Sequence, residues 1–323
     1  MCTAITFATN NHYFGRNLDF EIDFGENVVV TPRNYTFKYR YKEDNCHHFA
    51  MIGMALVQDN YPLYFDATNE YGLSMAGLYF PGNAAYLPYC ENKDNITPFE
   101  FIPWILSQCT DIQQTKTLLN RLNLVNKAFS DKYPLSPLHW IIADRNTSIT
   151  VEPTAGGIQI YDNPIGVLTN NPTFDFHMHN LANYINLTHN EPTNRFAPNH
   201  NIKPYSRGMG AIGLPGDLSS ASRFIRASFT KLNSVSDGTF DQDVSQFFHI
   251  LESVSQQRGC VKVGNKYEQT IYTSCCNIDN GVYYYTTYEN SQITGIKMHN
   301  TDLDSVELKL FPLVTSQQFH IEN

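Results

Sequence analysis

The chain opens Met1-Cys2-Thr3-Ala4-Ile5-Thr6-Phe7-Ala8-Thr9-Asn10-Asn11-His12-Tyr13-Phe14-Gly15-Arg16-Asn17-Leu18-Asp19-Phe20. Two β-favouring runs lie in it, Thr3–Ala8 and Tyr13–Phe20. Asn10-Asn11 between them reads as a hairpin turn, because Asn tolerates the left-handed backbone that a tight turn needs. Arg16 shares the alternation of Phe14, Leu18 and Phe20, and an arginine on an apolar strand face is costly unless it meets a partner. Asp19 falls on the opposite alternation. A regular strand cannot aim both side chains at one point, so a site shared by the two near Cys2 requires the chain to bend after Leu18.

Cys2 carries chemistry of its own. Its small side chain permits removal of Met1, which leaves a thiol and an α-amine on one residue. Unperturbed, these groups titrate at about 8.5 and about 7.7–8.0. A neutral amine can take the thiol proton and the thiolate can attack a carbonyl, with no catalytic histidine required.

Further strands are predicted at Asn27–Thr31, Thr36–Tyr41, Ala50–Val57, Tyr61–Asn69 and Leu73–Phe80. The period then changes. Thr97-Pro98-Phe99-Glu100 reads as a capping box with Pro at the first helical position, followed at helical spacing by Ile102, Ile105, Leu106 and Cys109. A second helix is predicted through Ile112, Thr115, Leu118, Leu119 and Leu122. Strands return at Leu138–Ala143, Ser148–Glu152 and Gly157–Tyr161, then a helix over Phe174–Leu187 and a long polar loop over Thr188–Tyr205. Ser219–Asn233 is read as a helix with Phe224, Ile225, Phe229 and Leu232 inward. Asp241–Gln256 is another, with Val244, Phe247, Phe248, Leu251 and Val254 inward. Strands close the chain at Gln269–Cys275, Val282–Tyr288, Ile293–Met298 and Ser305–Leu310. This order argues against a doubly wound parallel sheet. It fits an α+β fold in which two sheets pack face to face with helices outside, a four-layer αββα arrangement, as one domain over residues 1–323.

Composition narrows the function. The chain is 42% hydrophobic and 16% charged, enough to bury a sizeable core, and its net charge of −9 comes without basic clusters. That argues against nucleic-acid binding, which neutralises phosphates. No signal peptide and no membrane-spanning run of about 20 apolar residues is read, so a cytoplasmic protein is expected. The seven cysteines are scattered and include no C-x-x-C pair, which supports neither a disulfide framework nor a metal site. The vicinal Cys275-Cys276 lies in an apolar run and reads as buried free thiols, leaving a thiol-redox protein as a minor alternative.

Met1-Cys2-Thr3 followed by Phe14-Gly15-Arg16-Asn17-Leu18-Asp19 resembles the choloylglycine hydrolase family, which holds bile salt hydrolases and penicillin V acylases. Leu168-Thr169-Asn170-Asn171-Pro172, Gly213-Leu214-Pro215-Gly216-Asp217, Ser222-Arg223-Phe224 and Tyr288-Glu289-Asn290 carry the same resemblance, which covers essentially the whole chain. The combination is specific although each piece alone is not. The resemblance implies an N-terminal-nucleophile (Ntn) αββα hydrolase, with the mature chain starting at Cys2. It implies an amide hydrolase acting on taurine- or glycine-conjugated bile salts, or on penicillin V, without cofactor or metal, and working as a cytoplasmic homotetramer.

Residue by residue, the resemblance makes Cys2 the nucleophile. Asp19 would hold the α-amine, and Arg16 would favour the thiolate by its positive charge. Asn170 would donate its side-chain amide to the oxyanion, and Arg223 would complete the polar network. Tyr79 is a departure, since bile salt hydrolases usually carry Asn there and Tyr resembles the penicillin V acylases. The family's oxyanion contact from this position is a backbone N–H, so the departure bears on substrate choice. The steroid would lie among Leu18, Phe65, Phe129 and Tyr133. In Tyr205-Ser206-Arg207-Gly208 the resemblance is to a specificity loop, where Ser206 and Arg207 would meet a sulfonate. A non-catalytic bile-acid binder with Met1 retained is the rival from another class.

Overall fold

The computed structural model describes residues 1–323. Its strands and helices run β1 Cys2–Ala8, β2 His12–Phe20, β3 Asn27–Thr31, β4 Met51–Gln58, β5 Tyr61–Asn69, β6 Ser74–Tyr79, β7 Asp94–Ile96, α1 Phe101–Leu106, α2 Ile112–Leu119 and β8 Leu122–Leu124. They continue with β9 Leu138–Ala143, β10 Ser148–Thr154, β11 Gly157–Asp162, β12 Val167–Leu168, α3 Phe174–Asn180, α4 Ser220–Asn233 and α5 Phe240–Glu252. The last strands are β13 Val261–Val263, β14 Lys266–Asn277, β15 Val282–Thr287, β16 Asn290–Lys297 and β17 Lys309–Pro312.

Two antiparallel sheets form the body. The first has the order β12-β1-β2-β14-β15-β16, with β13 on β14; the second runs β11-β10-β9-β6-β5-β4-β3-β17. One core joins the facing sides of the sheets and continues under α4 and α5. It takes Val28, Ile52, Ala76, Leu78 and Ile141 from the second sheet, Ala4, Phe14 and Leu18 from the first, and Phe224 and Phe247 from the helices. The other core seats α1 on the far face of the second sheet, through Phe101, Trp104 and Ile105 against Met75, Trp140 and Ile142. These are the four αββα layers. A small parallel pair, β7 with β8, stands apart from them.

Several expected elements differ, each for a physical reason. Thr36–Tyr41 is not a strand. Tyr35 and Phe37 are buried in alternation, but the backbone makes only one bridge, Phe37 to Asn45, and the Arg40 N–H goes to the Glu100 carboxylate. The Thr97 capping box is present, with Glu100 accepting the Thr97 N–H at 2.8 Å, but it opens the turn Pro98–Glu100 and not α1 itself. A short 3-10 turn therefore precedes α1. Leu122 belongs to β8 rather than to α2, and the helix expected to reach Leu187 ends at Asn180, followed by a 3-10 turn to Tyr184. Leu232, expected inward, is 60% exposed. The last strand starts at Lys309, later than Ser305, where it pairs with β3.

Candidate active site

The β1–β2 ladder sets Cys2 directly opposite Leu18 and Ala4 opposite Arg16, so these four side chains share one face of the first sheet. That face meets the second sheet. Arg16 is fully buried and crosses the gap: its Nη1 donates to the carbonyls of Phe65 at 3.2 Å and of Gly77. The β5–β6 pairing stops at Asp66 opposite Ala76, so the guanidinium takes two carbonyls just beyond the last paired residues. Burial pulls the Arg16 pKa down, but the negative charge of a Cys2 thiolate, then of Tyr272, Asp66 and Asp19, raises it above the ordinary range. Its Nη2 is left without a protein partner.

Asp19 lies on the other face, as the alternation requires. β2 runs on to Phe20, and Asp19 lies beside the main chain of Met1 that leads into Cys2. Its N–H donates to the Met1 carbonyl at 2.9 Å, and its Oδ1 accepts from Thr270 Oγ1 at 2.6 Å. Its Oδ2 lies 4.0 Å from Arg223 Nη1 on α4. Burial raises the Asp19 carboxyl, opposed by the charges of Arg223 and the N-terminus. The sheet is irregular here in two places. Opposite Leu18 and Asp19, β14 carries one extra residue between Thr270 and Tyr272. At Gly15–Arg16 the pairing to β14 lapses, and the Arg16 N–H uses the Ser274 hydroxyl at 3.1 Å.

Asn170 follows β12 at the sheet edge. Its Oδ1 accepts from the Cys2 nitrogen at 2.7 Å and from Arg223 Nη2 at 2.8 Å, and its Nδ2 donates to the Tyr79 carbonyl at 2.6 Å. One N–H of that amide is left for a ligand. Arg223, fully buried, also donates to the Cys2 carbonyl and to Thr3 Oγ1 at 2.6 Å. Ser219 caps α4 by accepting from Ser222, which fixes the turn that carries this arginine.

Tyr79 ends β6 with its ring 38% exposed, edge-on to Phe20 at 6.4 Å. Phe20 meets Phe24 at 5.0 Å, and Phe24 meets Phe65 at 5.4 Å. These four rings form an aromatic wall, with Phe20 on β2 beside Leu18 and Arg16, Phe24 just after it, Phe65 on β5 and Tyr79 on β6. Phe20 and Phe24 were not among the expected pocket residues. Phe129 and Tyr133 gather elsewhere, on Tyr61, Phe99 and Gln58, beside the second core. Ser206 and Arg207 are exposed on the long loop and do not touch the Cys2 cluster.

The structure also brings in groups that the sequence reading missed. Asp66 on β5 accepts from Tyr272 and Tyr283 at 2.7 Å each, so a buried carboxylate of one sheet is held by two phenols of the other, close to Arg16. Glu268 on β14 takes the Met1 ammonium. Neither stood out, because each is a lone acid in a strand and its partners lie far along the chain. Cys275 and Cys276 are free and buried; burial pushes the Cys276 thiol up to about 12, which opposes a redox role. No three His, Cys, Asp or Glu side chains converge as metal ligands.

Two facing antiparallel sheets flanked by helices, with Cys2 opening a strand of the first, are the architecture of hydrolases of the N-terminal-nucleophile fold. The sequence profile of the linear amide C–N hydrolases, choloylglycine hydrolase family, matches residues 2–311. The chain belongs to that family. It is 53% identical to the bile salt hydrolase/transferase of Lactiplantibacillus plantarum, with 100% of both chains covered, and 38% identical to that of Clostridium perfringens, with 96% of each covered. The structure of a mutant conjugated bile acid hydrolase from Clostridium perfringens superposes with a TM-score of 0.93 at 36% identity over 100% of both chains. Penicillin V acylase from Agrobacterium tumefaciens shares the fold, with a TM-score of 0.77 at 18% identity over 98% of this chain and 92% of that one.

Proposed function

We propose that this chain hydrolyses the amide bond of taurine- and glycine-conjugated bile salts, with Cys2 as nucleophile after removal of Met1. The observation that carries the reading is the Cys2 nitrogen, 2.7 Å from Asn170 Oδ1 and beside buried Arg223 and Asp19. Cleavage after Met1 turns that nitrogen into the α-amine. The names of the full-length relatives support bile salts as the substrate class.

The amine takes the thiol proton, and the Cys2 sulfur attacks the amide carbonyl carbon. The oxyanion is met by the free N–H of Asn170 Nδ2, alongside the backbone N–H of Tyr79. The ammonium returns its proton to the departing nitrogen, the C–N bond breaks, and taurine or glycine leaves. Water then adds to the bile-acyl thioester with the amine as base; free bile acid departs and the thiol is restored. Arg16, with an unpartnered N–H in the inter-sheet space, favours the thiolate. Leu18, Phe65 and the rings of Phe20, Phe24 and Tyr79 receive the steroid, with Phe129 and Tyr133 further out. Ser206 and Arg207 on the exposed loop reach the sulfonate. The family resemblance supports a cytoplasmic homotetramer, and no helix is long and apolar enough to cross a membrane.

Tyr79 favours a second reading, penicillin V acylase, because its half-exposed ring stands at the mouth of the site. The test is kcat/KM for taurocholate against penicillin V, on protein whose free Cys2 is verified by intact mass. Faster taurocholate cleavage is expected. Faster penicillin V cleavage would overturn the substrate and leave the nucleophile standing; no turnover of either would overturn both.

A further inference from the structure

Behind the oxyanion side of the site lies a buried pair that the mechanism above does not use. His139, on β9, and Glu152, on β10, are both fully buried, with His139 Nδ1 3.0 Å from Glu152 Oε1. His139 Nε2 lies 2.9 Å from the Thr169 carbonyl, and Glu152 Oε1 also accepts the Phe174 N–H, at the start of α3, at 3.0 Å. The Phe80 ring stacks on the imidazole at 4.1 Å between centroids. Thr169 precedes Asn170, and Phe80 follows Tyr79. One imidazole therefore meets the Thr169 carbonyl of one segment and the Phe80 ring of the other, the two segments that meet at the Asn170 Nδ2 to Tyr79 carbonyl bond.

The proton count of this pair is fixed. A carbonyl only accepts, so Nε2 must carry a proton. Nδ1 and Oε1 then share one proton between them, whichever atom holds it, and Oε1 must still accept from Phe174. An amide in place of the carboxylate cannot do this. If its oxygen accepts from Phe174 and from Nδ1–H, a neutral imidazole turns a bare Nε2 toward the Thr169 carbonyl. If its nitrogen faces Nδ1, it opposes the Phe174 N–H.

We propose that His139 and Glu152 are positioning residues for the oxyanion donor, holding the Thr169–Asn170 and Tyr79–Phe80 segments at the spacing that aims Asn170 Nδ2 at the developing oxyanion. This rests on the proposed hydrolysis. The conjugate pair acts on orientation alone: it touches neither Cys2 nor the aromatic wall.

The test uses Glu152→Gln, which keeps the volume of the site, with the thermal melt recorded alongside. Two rates are compared on full-length protein with free Cys2: taurocholate hydrolysis, which forms an oxyanion, and alkylation of Cys2 by iodoacetamide, which forms none. A fall in kcat of about 10- to 100-fold is expected, with KM and the alkylation rate within about twofold of the unmodified chain. An unchanged kcat overturns the proposal, as does alkylation falling in step with hydrolysis, or a change confined to KM. Should Glu152→Gln not fold, His139→Gln and His139→Leu decide. The amide of the first can still donate to Thr169, so it is expected to keep about tenfold more kcat than the second; equal values refute the proposal. Absence of taurocholate cleavage in the unmodified chain would instead refute the proposed function.

Discussion

Asn170 and Tyr79 are joined by a single hydrogen bond, Nδ2 to the Tyr79 carbonyl at 2.6 Å, which ties the end of the first sheet to the end of a strand in the second. The same amide accepts from Cys2 and Arg223 through its oxygen, so its orientation is set by three partners and only one N–H remains uncommitted.

Asn170→Ala removes that donor. Its kcat for taurocholate should fall about 10²–10³-fold with a small change in KM, the usual cost of losing one oxyanion donor. Steady-state kinetics check this. Loss of the Oδ1 contact also frees the Cys2 nitrogen, so a fall much beyond this range would mark a second role at the amine.

Tyr79→Asn leaves the backbone in place and removes the ring that meets Phe20. The ratio of kcat/KM for taurocholate to that for penicillin V should rise, by about tenfold if the ring selects between a steroid and a phenoxy group. An unmoved ratio would take Tyr79 out of substrate selection.

Gly15→Ala is expected to destabilise strongly. A Cβ at Gly15 would stand 2.0 Å from the Ser274 carbonyl oxygen, a backbone atom that cannot swing away. The cost should reach about 3 kcal/mol or more, at or above the upper end for overpacking. A urea midpoint close to that of the unmodified chain would show that β2 and β14 can part without penalty.

Glu26 supplies a pH dependence. It is buried just before β3, its Oε2 accepting from Phe24 and its Oε1 unpaired, and burial raises its carboxyl to about 7. Unfolded, it titrates at about 4.3. Below that both states hold the proton and there is no effect. Between about 4.3 and about 7 the unfolded chain sheds its proton first, so stability falls as pH rises; above about 7 the full cost of about 4 kcal/mol remains. Glu26→Gln should therefore raise the melting temperature at pH 8 and leave it nearly unchanged at pH 4. A shift of equal size at both would assign the effect to packing.

How much of this was legible in the sequence depended on the range of the interaction. The β1–β2 hairpin, the strand alternation and the helical period of α4 and α5 are local, and they gave the layers. Cys2, Arg16, Asp19, Asn170 and Arg223 were named together through the family resemblance, and the structure does bring them together. Alternation put Arg16 and Asp19 on opposite faces of β2, and the irregularity in β14 falls opposite Leu18 and Asp19, where a bend is expected. Thr36–Tyr41 misled because alternating burial, present at Tyr35 and Phe37, does not require a pairing strand. Asp66, His139 and Glu152 were invisible for the converse reason. An isolated acid or histidine in an apolar strand shows no period, and the Tyr272 and Tyr283 that hold Asp66 lie 206 and 217 residues away.

The guanidinium of Arg16 on two carbonyls of the opposite sheet gives the chemistry a built-in order of events. The thiol is synthesised ahead of its partners, since Asn170 and Arg223 follow 168 and 221 residues later. Arg16 finds Phe65 and Gly77 only when the two sheets have closed on each other. Under the proposed mechanism, an unfinished or half-folded chain thus carries the Cys2 sulfur without the groups that turn it on amides. The appearance of hydrolysis during refolding would time the docking of the sheets, with no probe other than the enzyme's own turnover.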